Sequence, residues 1–327
     1  MLEKVSINGL AVVGRGKCGN VYVLSDEKII KTFNTFIPFS AVEKERNNAK
    51  RVHELGIPSP DVFDIVETEE GTGLIYERVD APSLERLMKA EPSKMGEYAL
   101  RLGVLCRLVH AVQAEGFISA KKEFMNRLEQ SRARIVRLCG VEAFEKLGRL
   151  IQSVPDTAGI VHGDFHPDNV LVRNEALILI DMADVMTGHP VFDLLSLYFL
   201  RVKKEKVWKT VEANLDCIQD GDAKARVRVI IEKMQSSTFS EEMAASFWDG
   251  FLKGYLDTRD KARMERVTRL IDGYSYLYMA LLERSKGFLG EEITDIATQE
   301  GVRVLLERYD ELYGSIVWQP PAAPNLR

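Results

Sequence analysis

The sequence predicts an α+β fold with a small β-rich N-terminal lobe and a large, mainly helical C-terminal lobe. Three observations carry this expectation. Short runs rich in β-branched and aromatic residues fill the chain up to Asp80. Helical periodicity dominates beyond it. One loop dense in Asp, Asn and His, from Val161 to Val172, interrupts the helices between two β-like ends.

The elements follow in order. Leu10 to Gly14 is apolar and ends in glycine, as a first strand does. NVYVL (Asn20 to Leu24) and KIIKTF (Lys28 to Phe33) have strand composition. Val42, Ala49, Val52 and Leu55 recur at helical spacing, so Val42 to Leu55 reads as a helix. It stops at Gly56, with Pro58 and Pro60 beyond. DVFDIVE from Asp61 and GLIYERV from Gly73 are two further strands across the turn-like EEGTG. Glu77 to Asp80 form a hinge that divides a lobe of residues 1–79 from one of residues 80–327. Ser83 caps a helix that begins SLERLM. Tyr98 to Val112 and Phe124 to Leu138 continue as helices. From Pro190 the chain is helical again, with the aromatic-rich SFWDGFLKGYL and GYSYLYMALL.

Composition narrows the function classes. The chain has 327 residues, enough for two unequal lobes with a proper core. A net charge of -5 argues against nucleic-acid binding, which demands clustered Lys and Arg. It is compatible with a cationic substrate, but ordinary solubility is the favoured reading. The four cysteines, Cys18, Cys106, Cys139 and Cys217, form no CxxC pair. A reducing cytoplasm is therefore expected rather than a disulfide framework or structural zinc. The N-terminus shows no leader pattern, and no run approaches the roughly 20 apolar residues that span a bilayer. No membrane insertion is expected.

The motifs carry the chemistry. Gly14, Gly16 and Gly19 form G-R-G-K-C-G-N-V. A lone GxGxxG is a weak signal. Here a strand follows it rather than a helix, and strand–loop–strand lays backbone N–H groups over a triphosphate. Lys31, on the next strand, can reach under that loop to the phosphates, and it needs an acid to hold it. Glu45 is preferred, because it shares a helical face with Ala49 and Val52; Glu43 is the alternative. The strongest signal is V-H-G-D-F-H-P-D-N-V-L-V, with LILI delivering Asp181 at a strand end after it. The Asp181 carboxylate and the Asn169 carboxamide make a hard-oxygen Mg²⁺ site completed by phosphates and water. Asp164 can receive or orient the proton of an attacking hydroxyl.

Taken together, these residues resemble the aminoglycoside phosphotransferase and choline kinase group, relatives of the protein kinases, from Gly14 to about Leu200. ELGIPSP after the helix and LIYERVDAPSL at the hinge match as well. The resemblance implies a protein-kinase-like bilobal fold and transfer of the γ-phosphate of ATP or GTP to a small-molecule hydroxyl, with Mg²⁺. It implies that the loop of Gly14, Gly16 and Gly19 covers the phosphates. Lys31 contacts them and Glu45 orients it. The backbone of Glu77 and Val79 receives the adenine edge. Asp164 is the catalytic aspartate, Asn169 and Asp181 hold the metal, and His162 braces the loop. Asp193 ties the following helix to that loop. His166 stands where protein kinases have a lysine, so a phosphate contact and a structural hydrogen bond are both open.

Departures from protein kinases matter too. Asp181 begins D-M-A-D rather than D-F-G, and no activation segment or A-P-E follows. Regulated protein phosphorylation is therefore disfavoured. A catalytically inactive, nucleotide-binding regulator is the other alternative, although such proteins usually lack one of the residues present here. Asp184, Trp248, Asp249, Tyr255, Asp257, Tyr274, Tyr276 and Tyr278 offer acids and aromatics that suit an amino-bearing acceptor by charge and cation–π contact. The same aromatics also fit a helical core. Cys18 reads as a reactive thiol or as a loop residue of convenient size. The acceptor (choline, ethanolamine, aminoglycoside or sugar) and the oligomeric state are left open.

Overall fold

The computed structural model describes residues 2–16, 18–203, 239–282 and 286–316, isolated positions between 204 and 238, and the backbone alone over 286–290. Cys217 lies outside the described residues. The chain packs as two compact units, Met1–Glu91 with His166–Val185, and Pro92–Phe165 with Met186–Arg327. The division expected at residues 79 and 80 differs from this packing. The segment after Asp80 and the hairpin Val170–Arg173 with Ala176–Leu179 belong to the first unit. The backbone gives the reason. Val172 N–H bonds to Pro82 O at 3.0 Å, and Leu179 N–H to Pro58 O at 2.8 Å.

The first unit is built on a five-stranded antiparallel sheet in the order β1-β2-β3-β5-β4. Its strands are β1 (Val12–Arg15), β2 (Asn20–Val23), β3 (Lys28–Thr32), β4 (Val62–Thr68) and β5 (Gly71–Glu77). Strand alternation sorts the side chains. Ile30 joins Ile7, Tyr22, Val66 and Ile75 in a core on one face. The N-terminal segment closes that face by running along β4, with Val5 N–H on Glu67 O and Glu67 N–H on Glu3 O. Ile29 and Lys31 point the other way, toward α1 (Phe39–Glu54). The helix buries Val42, Glu45, Asn48, Ala49 and Val52, so its apolar stripe carries two polar groups inward. Helix α2 (Leu84–Ala90) starts where Ser83 Oγ accepts the Arg86 N–H at 3.3 Å.

Among the described residues, the second unit is mainly helical. It contains α3 (Met95–Ala111), α4 (Ala120–Gln130), α5 (Arg132–Cys139), α6 (Val141–Ser153), α7 (Val191–Tyr198), α8 (Glu241–Leu256) and α9 (Lys261–Tyr274), with further helices at Tyr276–Ala280 and Lys286–Glu307. Two expected helices are each divided. Phe124 to Leu138 breaks at the buried Ser131, whose N–H is shared between Arg127 O and Leu128 O. GYSYLYMALL breaks at the buried Ser275, whose hydroxyl bonds back to Asp272 O at 2.6 Å. Such back-bonding competes with the helical ladder. No described helix is long and apolar enough to cross a membrane.

The tightest packing in this unit is between α3 and α8. A Cβ on Gly103 would lie 2.2 Å from Phe251 O. On Gly250 it would lie 2.3 Å from Gly96 O, and on Gly254 2.0 Å from Leu100 O. Only glycine permits this approach of backbone to backbone. The seam brings the ends of both helices together, so His110 of α3 meets Tyr255 of α8.

Candidate active site

In the first unit the site starts from Lys31. Its Nζ is 2.7 Å from Glu45 Oε1 and 3.1 Å from Asp181 Oδ1. Glu45, rather than Glu43, takes this place because it lies on the buried stripe of α1. Burial disfavours the ammonium, but the charges of Glu45 and Asp181 outweigh it and hold Lys31 above the ordinary lysine value. Burial also pushes the Glu45 carboxyl up, against the pull of Lys31. Lys31 is thus the cation that opposes the effect of burial on Glu45. Two residues missed by sequence reasoning complete the arrangement. Tyr76 OH donates to Glu45 Oε1 at 2.8 Å. Asn48, one turn beyond Glu45, donates from Nδ2 to Met182 O at 3.1 Å, directly after Asp181. Tyr76 sits in β5 opposite Ile29, on the Lys31 face of the sheet, so strand register was a signal available for it.

Asp181 has φ 66, in the left-handed region that a short polar side chain tolerates. Asn169 is buried at the end of a short 3-10 turn. Ile180 N–H bonds to Asn169 O at 2.9 Å, so the backbone ties the two residues together. Their donors are oxygens only, a carboxylate and a carboxamide, which suit a hard cation such as Mg²⁺. Among the described residues no group of three or more His, Cys, Asp and Glu side chains is arranged to hold a metal by itself. Further oxygens would have to come from a ligand. His166 Nδ1 accepts the Asp168 N–H at 3.2 Å.

Of the three loop glycines, Gly19 is the one the fold demands. A Cβ there would lie 1.8 Å from Thr32 O, whereas on Gly16 the nearest atom would be Gly19 O at 3.5 Å. Gly16 N–H bonds to Gly19 O at 2.8 Å and closes the loop between β1 and β2. Cys18 is exposed and unbridged, with its carbonyl on Asn34 N–H. At the end of β5, Glu77 N–H bonds to Asp61 O, and just beyond it Val79 O accepts from Ala81 N–H.

The other half of the loop lies in the second unit. Gly163 has φ 84, which lets the chain turn before Asp164. Asp164 N–H donates to His162 Nδ1 at 3.3 Å. His162 and Phe165 are buried edge to face, and Asp164 stands partly exposed between them. Asp193, in the first turn of α7, is fully buried. Its carboxylate accepts His162 N–H and Gly163 N–H, each at 2.7 Å.

The aromatics considered for an acceptor are mostly core. Trp248, Tyr255 and Tyr274 are buried. Trp248 Nε1 donates to Thr268, and Tyr274 OH to Leu312 O. Lys203 Nζ lies 3.6 Å over the Tyr276 ring. Two of the acids already face cations, Asp249 with Lys253 and Asp257 with Arg107. Asp249, Asp257 and Tyr276 thus face the protein's own lysines and arginine.

Residues 13–227 match the model of the phosphotransferase enzyme family, APH. No curated protein sequence matches the chain. Among solved structures, it resembles the ternary complex of streptomycin and ATP with APH(2")-IIa at 16% identity and TM-score 0.54, covering 94% of this chain and 93% of that one. A choline/ethanolamine kinase family protein from Mesorhizobium loti gives 13% identity and TM-score 0.55, with the same shares covered, 94% and 93%. Choline kinase from Cryptosporidium parvum gives 12% and 0.54, covering 94% of this chain and 92% of that one. These likenesses establish a kinase-like fold.

Proposed function

This chain belongs to the phosphotransferase enzyme family; from that premise, we propose that it moves the γ-phosphate of ATP, or less favourably GTP, onto a hydroxyl of a small, amino-bearing molecule. The observation that carries the reading is Lys31, held protonated between Glu45 and Asp181. An ammonium so fixed is ready for the anionic oxygens of a triphosphate. Presence of ATP in one similar structure favours that donor. The aminoglycoside and choline kinase neighbours favour an amino-bearing acceptor.

Each residue then has a defined task. The loop that carries Gly14, Gly16 and Gly19 covers the phosphates. Glu77 O and Val79 N–H take the adenine edge. Asn169 and Asp181 would hold Mg²⁺, which when bound neutralises charge on the phosphates. Asp164 orients the acceptor hydroxyl and takes its proton as oxygen bonds to the γ-phosphorus and the bond to the nucleoside diphosphate breaks. His162, being buried, positions the Asp164 backbone and does not reach a reactant. Little covalent work is left to the protein beyond positioning and electrostatics. A cytoplasmic setting fits the unbridged Cys18.

The test is a triphosphate-consumption screen over aminoglycosides, amino alcohols and sugars with Mg²⁺. It is paired with calorimetry of a non-hydrolysable triphosphate. Acceptor-dependent release of diphosphate is expected. No nucleotide binding, with or without Mg²⁺, refutes the proposal.

A further inference from the structure

We propose that Tyr255 is a remote positioning residue for the catalytic loop, acting through His110 and Asp193 on the backbone that carries Asp164. Tyr255, His110 and Asp193 are all 0% exposed. Tyr255 OH is 2.9 Å from His110 Nδ1, and His110 Nε2 is 3.1 Å from Asp193 Oδ2. The same Oδ2 accepts His162 N–H, while Oδ1 accepts Gly163 N–H. A chain of contacts therefore runs from the end of α8 to the two residues before Asp164.

Hydrogen-bond chemistry gives the chain a direction. An ionised carboxylate only accepts, so His110 Nε2 must carry the hydrogen. In the neutral imidazole Nδ1 then has a lone pair, and the phenol of Tyr255 donates to it. Burial, with Cys106 and Asp193 nearby, holds that phenol well above its ordinary value, so it keeps its hydrogen. Fixing the imidazole at both nitrogens fixes the donor on Oδ2. The carboxylate is then held by three donors rather than two, and cannot swing away from the loop. Sequence reasoning had offered Tyr255 to the acceptor, but a side chain with no exposed surface cannot reach one. Its ring stacks on Phe251 with centroids 5.7 Å apart. Phenylalanine would keep that stacking and remove only the hydroxyl.

Two arms test this. The first reads the imidazole without any turnover, by long-range ¹H–¹⁵N correlation of ¹⁵N-histidine-labelled protein. His110 is expected as the Nε2–H form with an accepting Nδ1, and Tyr255→Phe should shift its Nδ1 and speed exchange of the Gly163 amide. A ring protonated at both nitrogens, or an unmoved spectrum in Tyr255→Phe, overturns the assignment. The second arm rests on the phosphotransfer reading and uses acceptor turnover or slow triphosphate hydrolysis. Tyr255→Phe should lower turnover about tenfold, the scale of one buried hydrogen bond left unmade, with triphosphate affinity unchanged. His110→Gln, which still offers Asp193 a donor, should retain more turnover than His110→Leu. Equal turnover in all variants overturns the positioning role. If the wild-type protein consumes no triphosphate at all, the phosphotransfer reading fails and the spectroscopic arm alone decides this one.

Discussion

Replacing Lys31 by alanine should destabilise the protein in a way that depends on pH. Glu45 is 3% exposed and would be left as a buried carboxylate without its cation. Breaking one partner from a buried pair costs about 3–5 kcal/mol. Protonation sets a ceiling on that figure. Neutralising a carboxyl of ordinary pKa, about 4.3, at pH 7 costs about 1.4 kcal/mol per pH unit, or about 3.7 kcal/mol in all. Asp181 adds little, because its side chain is 41% exposed and water screens it. Burial already holds the folded Glu45 carboxyl above its ordinary value against the pull of Lys31, and without Lys31 it rises further. Folding then takes up a proton, so this contribution is fully present below about pH 4 and is lost as pH rises through the raised value. Urea melts of wild type and Lys31→Ala at pH 5 and pH 7 measure it. The deficit should be about 3 kcal/mol at pH 7 and under about 1 kcal/mol at pH 5. Lys31→Ala with Glu45→Gln should regain most of the neutral-pH loss, since the amide oxygen still accepts from Tyr76. An equal deficit at both pH values, or no recovery in the double variant, refutes the reasoning.

The remaining expectations separate the parts of the site. Asp164→Asn should lower turnover about 10²–10⁴-fold with nucleotide affinity intact, whereas Asp181→Asn should weaken triphosphate binding in Mg²⁺; calorimetry beside kinetics distinguishes them. Gly19→Ala should cost about 1–3 kcal/mol and weaken nucleotide binding, because its Cβ meets Thr32 O. Gly16→Ala, with its nearest neighbour at 3.5 Å, should melt like wild type. Asn48→Leu leaves the carbonyl of Met182 without its side-chain donor, so a loss of about 1–3 kcal/mol in urea melts and a weaker Mg²⁺ dependence are expected.

What the sequence revealed depended on how local the physics was. The Lys31–Glu45 contact was legible because Val42, Ala49 and Val52 mark a buried stripe and Glu45 falls on it. The loop from Val161 to Val172 was legible by its density of proton- and metal-binding side chains. Tyr76 was not, because an aromatic in a strand reads first as β-propensity. Its hydroxyl finds Glu45 across 31 residues of chain. His110 and Tyr255 were harder still, 145 residues apart and joined only through the approach of α3 to α8. The aromatics after Pro190 showed helical spacing, but spacing alone does not separate a core ring from a ligand-facing one. The cations that engage Asp249, Asp257 and Tyr276 come from α8, α3 and the segment after α7.

The glycine seam changes how a mutational map of this protein would read. Gly103, Gly250 and Gly254 carry no side chain that could do chemistry, yet a single methyl at any of them meets a carbonyl oxygen closer than any real contact. In a saturation survey scored by activity they would be as intolerant as Asp164. Rank alone would then file them among the residues that do chemistry. Temperature tells the two classes apart. A crowded seam lowers the melting point and regains function on cooling, whereas a lost proton acceptor is lost at every temperature. The distance between α3 and α8 is set by main chain against main chain, so it does not breathe with side-chain rotamers. That leaves Tyr255 and His110 a fixed gauge length, and it leaves no neighbouring side chain able to shrink in compensation.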